Sequence, residues 1–171
     1  MSEEAIQNAA ESSAATKTQF PCDREGVLRI LPHRDPFVWV TRVVECKPGV
    51  SVVAELDVDP NLSLFAGHFP GQPVLPGVIL MEALAQAACC CILTAEGREE
   101  GSVGYLVGID KAKFRRTVLP GETVTLKATI TKNSSRMVVA DVEASVDGQV
   151  CASAVQKYVL AHAEQSEGGA Q

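Results

Sequence analysis

The chain has 171 residues, 46% of them hydrophobic and 21% charged, and carries a net charge of −6. That length and balance suit one globular unit with a full apolar core. The acidic balance excludes nucleic acid or an anionic membrane surface as the main partner, because both demand many Lys and Arg, although it leaves room for one local basic patch.

Residues 1–22 are rich in Ala, Ser, Glu, Thr and Gln and offer little to pack, which predicts a disordered tail. The tail begins Met1-Ser2-Glu3-Glu4, without the basic start and apolar stretch of a signal peptide. A short helix is predicted over residues 23–31, ended by Leu31-Pro32. Phe37 to Glu45 and Ser51 to Val58 are Val-rich and read as strands, with Lys47-Pro48-Gly49 as the turn between them. Pro76 to about Ala95 is rich in Ala, Leu and Met, which predicts a helix with Gly97 placed to cap it. Nearly all its faces are apolar, so it must be buried.

Further strands are predicted over Val103 to Thr117, with partial alternation, and over Thr123 to Lys132. Between them, Val118-Leu119-Pro120-Gly121-Glu122 breaks the pattern. Met137 to Val146 and Val150 to Leu160 flank Asp147-Gly148, a strong hairpin signal. Residues 161–171 again look like a flexible tail. The folded unit is therefore expected over residues 23–160, as an α+β domain with one long central helix and five or six antiparallel strands. No apolar run reaches the ~18–20 residues that span a bilayer. The longest, Val78 to Ala95, is interrupted by Glu82 and Gln86. The expected location is the cytoplasm.

The six cysteines (Cys22, Cys46, Cys89, Cys90, Cys91 and Cys151) contain no C-x-x-C pair, so their spacing suits neither zinc nor a redox motif. They read as small buried apolar residues in a reducing compartment. His33, His68 and His162 stand apart with no clustered carboxylates, which predicts no metal site.

Chemistry concentrates around the central helix. Glu82 falls in its second turn, among apolar neighbours. An unpaired buried charge costs several kcal/mol, so this carboxyl must find a partner or take up a proton, as a general acid does. A structural reading stays open, because an acid near a helix N-terminus also gains roughly 0.3–1 kcal/mol from the macrodipole. The preceding loop, Gly67 to Gly77, holds three prolines and three glycines in eleven residues. Such a loop is stiff and would fix His68 in place, although a lone loop histidine is often merely exposed. Pro76-Gly77 leaves free backbone N–H groups at the helix start, suited to an oxyanion. Gln86, four residues after Glu82, shares its helix face and can hold the carboxyl or make an ordinary buried contact.

Leu31-Pro32-His33-Arg34-Asp35-Pro36-Phe37, the run Gly67-His68-Phe69-Pro70-Gly71-Gln72-Pro73-Val74-Leu75-Pro76-Gly77-Val78, and Glu82-Ala83-Leu84-Ala85-Gln86 together closely resemble the FabZ-type 3-hydroxyacyl-[acyl-carrier-protein] dehydratases. Gly108 to Arg116 and Pro120-Gly121-Glu122 add to the likeness, which spans about residues 25–160. Thr41, where such proteins often carry Asp before Arg42, and the long N-terminal tail depart from it. Glu82, rather than Asp, and the Phe69-Pro70-Gly71 continuation set the chain apart from the FabA-type dehydratase–isomerases.

The resemblance implies a hot-dog fold, a helix wrapped by a curved antiparallel sheet. It implies a homodimer with two interfacial sites, often assembled into a hexamer, in which the His of one subunit faces the Glu of the other. It makes His68 and Glu82 the catalytic pair and puts the Gly77 N–H at the thioester carbonyl, with no metal or organic cofactor. The implied substrate is a (3R)-3-hydroxyacyl chain on acyl carrier protein, dehydrated to the trans-2-enoyl form in fatty acid biosynthesis. Phe69, Val74 and Leu75, with Phe65 and Leu80, are acyl-channel candidates, though each also suits an ordinary core. Lys111, Lys113 and Arg115 alternate and so share a strand face. With Arg116 they are the candidate patch for the acidic carrier protein, or else a solvated strand face. His33 and Arg34 are expected to be structural. Two alternatives stay open: an acyl-thioester hydrolase on the same fold, and a non-catalytic acyl-binding subunit.

Overall fold

The computed structural model describes residues 19–99, 101–134 and 137–162. The rest of both predicted tails lies outside them. Helix α1 (Arg24–Ile30) is capped by Asp23, whose side chain accepts from the Gly26 N–H. Strands β1 (Arg42–Lys47) and β2 (Ser51–Asp57) follow as a hairpin. A 3-10 turn, Ser63–Ala66, leads into the loop carrying His68. Helix α2 (Gly77–Leu93) is next, then β3 (Ser102–Phe114), β4 (Thr123–Asn133), β5 (Val138–Val146) and β6 (Gln149–His162).

The six strands form one antiparallel sheet in the order β1-β2-β4-β5-β6-β3. Every strand contributes contacts to α2, so the sheet curves around the helix, the arrangement that the resemblance implies. Burial follows from composition. Leu80, Met81 and all residues from Ala83 to Ile92 are buried, and an all-apolar helix has no face to offer water. Inward positions of β2, β4 and β5 (Val52, Ala54, Leu56, Val124, Leu126, Ala128, Val138, Ala140, Val142) complete the core. The β5–β6 hairpin turns at Asp147 and Gly148, with φ of 49° and 77°. Two consecutive positive φ values are what a two-residue primed turn requires.

The predicted strand over 37–45 starts five residues late. Val38, Trp39 and Val40 are buried, but their backbone serves other partners. Arg24 Nη1 donates to the Val38 and Val40 carbonyls, and the Trp39 N–H goes to the Gln86 side chain. Helix α2 ends on Thr94, not Gly97; Gly97 adopts φ 76° in the turn beyond. Strand β3 ends at Phe114, short of Thr117, because the N–H groups of Arg115 and Arg116 both turn to the Cys151 carbonyl. Order also reaches into both expected tails. Cys22 exchanges two backbone hydrogen bonds with Val43, and β6 continues to His162.

Cys89, Cys90, Cys91 and Cys151 are buried and Cys22 and Cys46 half-buried, all as free thiols. Burial pushes the Cys89 thiol up to about 12 and the Cys90 thiol well above its ordinary value. Thiols held neutral in this way pack as small apolar side chains and are poor nucleophiles.

Candidate active site

The loop between the 3-10 turn and α2 closes on itself. The His68 N–H donates to the Leu64 carbonyl at 3.0 Å, and the Val74 N–H donates to the His68 carbonyl at 3.0 Å. Phe69 and Gln72 exchange backbone hydrogen bonds of 3.2 and 2.9 Å across Pro70-Gly71. Leu75 N–H then anchors the loop's exit to the Val118 carbonyl at 2.8 Å. The rigidity that the prolines and glycines predict is thus backed by a local ladder.

This backbone also orients the imidazole. His68 Nδ1 lies 2.9 Å from the Val74 carbonyl oxygen, and the ring stacks on Phe69 with centroids 4.2 Å apart. A carbonyl can only accept, so the proton of the neutral ring sits on Nδ1. Nε2 is left with its lone pair free to act as a base.

Glu82 sits one turn into α2, with its side chain 24% exposed. Its Oε1 accepts from Gln86 Nε2 at 2.9 Å. Gln86 is itself 1% exposed and fully engaged: Oε1 accepts from the Trp39 N–H at 2.8 Å, and Nε2 also donates to the Phe37 carbonyl at 2.9 Å. The i, i+4 spacing therefore joins Glu82 to the segment 37–39 through Gln86. A second contact was not foreseen: His33 Nε2 stands 3.5 Å from Glu82 Oε1. Deeper in the core, Gln156 Nε2 donates to the Met81 carbonyl at 2.8 Å and Gln156 Oε1 accepts from Tyr158, so β6 grips the helix beside Glu82.

Helix α2 starts at Gly77 after Pro76, with no side chain capping its first turn. Its leading N–H groups face outward from the helix end. Gly77 is required here by close approach: a Cβ would come within 2.7 Å of the Phe114 ring. Phe114, the last residue of β3, thereby covers the helix start while staying half-exposed.

Among the described residues, His68 and Glu82 share no hydrogen bond or ion pair within one protomer; each has its own partners. The acyl-channel candidates separate. Leu75, Phe65 and Leu80 are buried in the core, Val74 is half-buried, and Phe69 is exposed beside the imidazole.

On the outer face of the sheet, Lys111, Lys113 and Arg115 line an open groove of about 550 Å³ with Lys127, Thr129, Asp141, Glu143 and Ser153. Strict alternation does not produce this: the β3–β6 register shifts between Asp110 and Lys113, and Lys111 adopts φ 52°. The bulge nevertheless returns all three cations to one groove. Lys127 arrives from β4 through the register that sets it against Glu143, which in turn faces Ser153, and no local signal marks it. Arg116 lies elsewhere. It clamps Glu122 through Nη2–Oε1 at 2.6 Å and Nη1–Oε2 at 3.0 Å, tying down the turn before β4. Among the described residues no group of His, Cys, Asp and Glu could hold a metal ion.

A FabA-like domain model matches residues 31–155. A curated 3-hydroxyacyl-[acyl-carrier-protein] dehydratase FabZ from Anaeromyxobacter sp. (strain Fw109-5) is 44% identical over 146 residues, covering 84% of this chain and 92% of the relative. The protein of the same name from Ruminiclostridium cellulolyticum is 42% identical over 137 residues, covering 80% of this chain and 96% of the relative. Among solved structures, the dehydratase heterocomplex ApeI:P from Xenorhabdus doucetiae superposes with a TM-score of 0.70 at 18% identity, over 84% of this chain and 93% of that one. A hypothetical thioesterase with coenzyme A from Streptococcus pneumoniae TIGR4 superposes with a TM-score of 0.56 at 15% identity, over 70% and 84%. At such identities the structures speak for the fold alone, which is the hot-dog fold.

Proposed function

The chain belongs to the FabA-like family, and from that premise we propose that it is a 3-hydroxyacyl-[acyl-carrier-protein] dehydratase, a hydro-lyase of fatty acid biosynthesis. The observation that carries the mechanism is the His68 Nδ1 contact to the Val74 carbonyl, because it leaves Nε2 as an aimed base. His68 Nε2 removes the proton alpha to the thioester carbonyl. Charge gathers on the thioester oxygen, where the Gly77 N–H and the start of α2 stabilise it. Glu82 in its protonated form gives its proton to the departing 3-hydroxyl, and water leaves. The trans-2-enoyl thioester is released with His68 protonated and Glu82 ionised, and solvent exchange resets both.

Base and acid meet across two subunits in this reading. Strand β3 ends the sheet with a free edge, and Tyr105, Val107 and Ile109 on it are exposed. A long apolar edge left open invites a second strand. A two-fold pairing there gives a homodimer, and the hexamer of the resemblance is a trimer of such dimers. The same edge carries Phe114, which touches Gly77, so the seam runs past the helix start. The acidic carrier protein docks on the groove of Lys111, Lys113, Arg115 and Lys127, with Arg116 bracing the neighbouring turn. The reaction belongs in the cytoplasm, where six free thiols stay reduced. Among the described residues no helix is long and apolar enough to cross a membrane.

Mixed dimers test the assignment. His68→Ala and Glu82→Gln each leave only a small residual rate of conversion of a 3-hydroxyacyl thioester to its enoyl product. Refolding the two variants together restores one intact site per heterodimer, so about a quarter of wild-type activity returns from a statistical mixture. No recovery places both groups in one subunit, and full turnover in the His68→Ala protein refutes the base. Release of free thiol instead of enoyl product identifies a hydrolase.

A further inference from the structure

His33 neither takes nor gives a proton in the proposed reaction, yet it stands against the acid. Its Nε2 stands 3.5 Å from Glu82 Oε1, and both side chains are 24% exposed. Its other nitrogen, Nδ1, is buried without a hydrogen-bond partner. The backbone that delivers the ring is pinned: Arg34 Nη1 donates to the carbonyls of Leu31 and His33, and Arg24 pairs with Asp35. A histidine kept only for packing would not leave a ring nitrogen buried and unpaired, a loss of the kind that an apolar residue of similar size avoids.

The orphaned Nδ1 also selects the tautomer. Burying an unpaired lone pair is cheaper than burying an unpaired N–H, particularly in a charged ring. The ring proton therefore sits on Nε2, facing Glu82. Gln86 already donates to the same carboxyl oxygen, at 2.9 Å. Two N–H groups then face Oε1: Gln86 in a hydrogen bond from α2, and His33 at 3.5 Å from the segment after α1. An oxygen that faces two N–H groups is the carbonyl-like one, so a proton carried by Glu82 belongs on Oε2.

We propose that His33 is a positioning residue for Glu82: with Gln86 it holds Oε1 as an acceptor, so that Oε2 carries the proton delivered to the leaving hydroxyl. This rests on the reading of Glu82 as the acid. Once the proton has gone, the same two donors remain on the carboxylate and favour its departure. Gln86 performs the task from within a network that also supports the fold. Among the described residues the His33 ring has no other hydrogen-bond or ion-pair partner, so its effect falls on the chemistry.

His33→Leu, His33→Gln and the double variant His33→Leu/Glu82→Gln test this. Gln at 33 offers an amide donor and Leu offers none. His33→Leu is expected to lower kcat about tenfold with KM unchanged, because the lost contact acts on the departing hydroxyl rather than on substrate binding. His33→Gln should recover most of that loss. In the Glu82→Gln background, where no acid remains, His33→Leu should cost nothing further. An unchanged kcat in His33→Leu overturns the proposal, as does a Gln variant no better than Leu. An equal loss in both backgrounds overturns it too, because it marks a general structural role. Should His33→Leu fail to fold, His33→Phe, a ring of similar shape that likewise offers no donor, takes its place in both Glu82 backgrounds. Full activity of Glu82→Gln alone would defeat the parent reading instead, and that outcome is separately visible.

Discussion

Replacing Gln86 with Met removes the polar hub of the site while nearly filling its space. Two backbone groups then lose their partner: the buried Trp39 N–H and the Phe37 carbonyl. A buried donor left unsatisfied costs about 1–3 kcal/mol, and a carbonyl nearer the surface about 1 kcal/mol. The expected destabilisation is therefore about 2–4 kcal/mol, a large part of the roughly 5–15 kcal/mol that holds a typical domain together. Gln86→Glu keeps an acceptor for Trp39 but sets a second carboxyl beside Glu82, so it should be milder in stability and severe in turnover. Urea unfolding at one fixed protein concentration measures the first quantity, and enoyl-product formation the second. A loss below about 1 kcal/mol in Gln86→Met would refute the reasoning, because it would mean that segment 37–39 finds other partners without help.

Three further outcomes are expected. Gly77→Ala forces the Phe114 ring aside, since its Cβ would otherwise lie 2.7 Å away; kcat/KM should fall at least about tenfold with little change in Tm, because the half-exposed ring can move. Adding Phe114→Ala should recover part of that activity. Arg116 and the Leu119 N–H hold the Glu122 carboxyl below its ordinary range. The stability this gives is full above the unfolded value of about 4.3 and is lost as pH falls through the lower folded value. Glu122→Gln should thus lower Tm at neutral pH, with the gap to wild type closing as the pH is taken below 4. Lys113→Glu with Lys127→Glu should raise KM for the carrier-linked substrate, flatten its salt dependence and leave turnover of a small thioester analogue intact; equal effects on both substrates would remove the groove from the docking surface.

Local pattern carried most of the fold. The Asp147-Gly148 turn, the Val-rich strands and the apolar helix each announce themselves within a dozen residues. What stayed hidden depends on distant partners. Residues 37–41 have strand composition, but Arg24 and Gln86, 14 or more and 47 or more positions away, claim their backbone groups. Of the two contacts of Glu82, Gln86 in the next turn is legible from the i, i+4 spacing, whereas His33, 49 residues upstream, is not. His33 was legible only as part of a family segment, since a histidine in a loop declares no partner. Lys127 joins Lys113 solely through the stacking of four strands, and the bulge at Lys111 has no signature in the residues around it. Arg116 reads as one more cation in a run, and only the fold turns it toward Glu122.

The dense packing around α2 has a consequence for how such a protein can change. Ala83, Ala87, Cys90 and Cys91 have no exposed surface, so within one protomer these positions meet only protein and cannot touch a fatty tail without unpacking. A preference for tail length is then open to side chains on the rim, such as Val78 and Phe114, both exposed in the protomer. Those positions can be exchanged at little risk to folding. Selectivity and thermal robustness therefore reside in different residues, and one can drift while the other is kept.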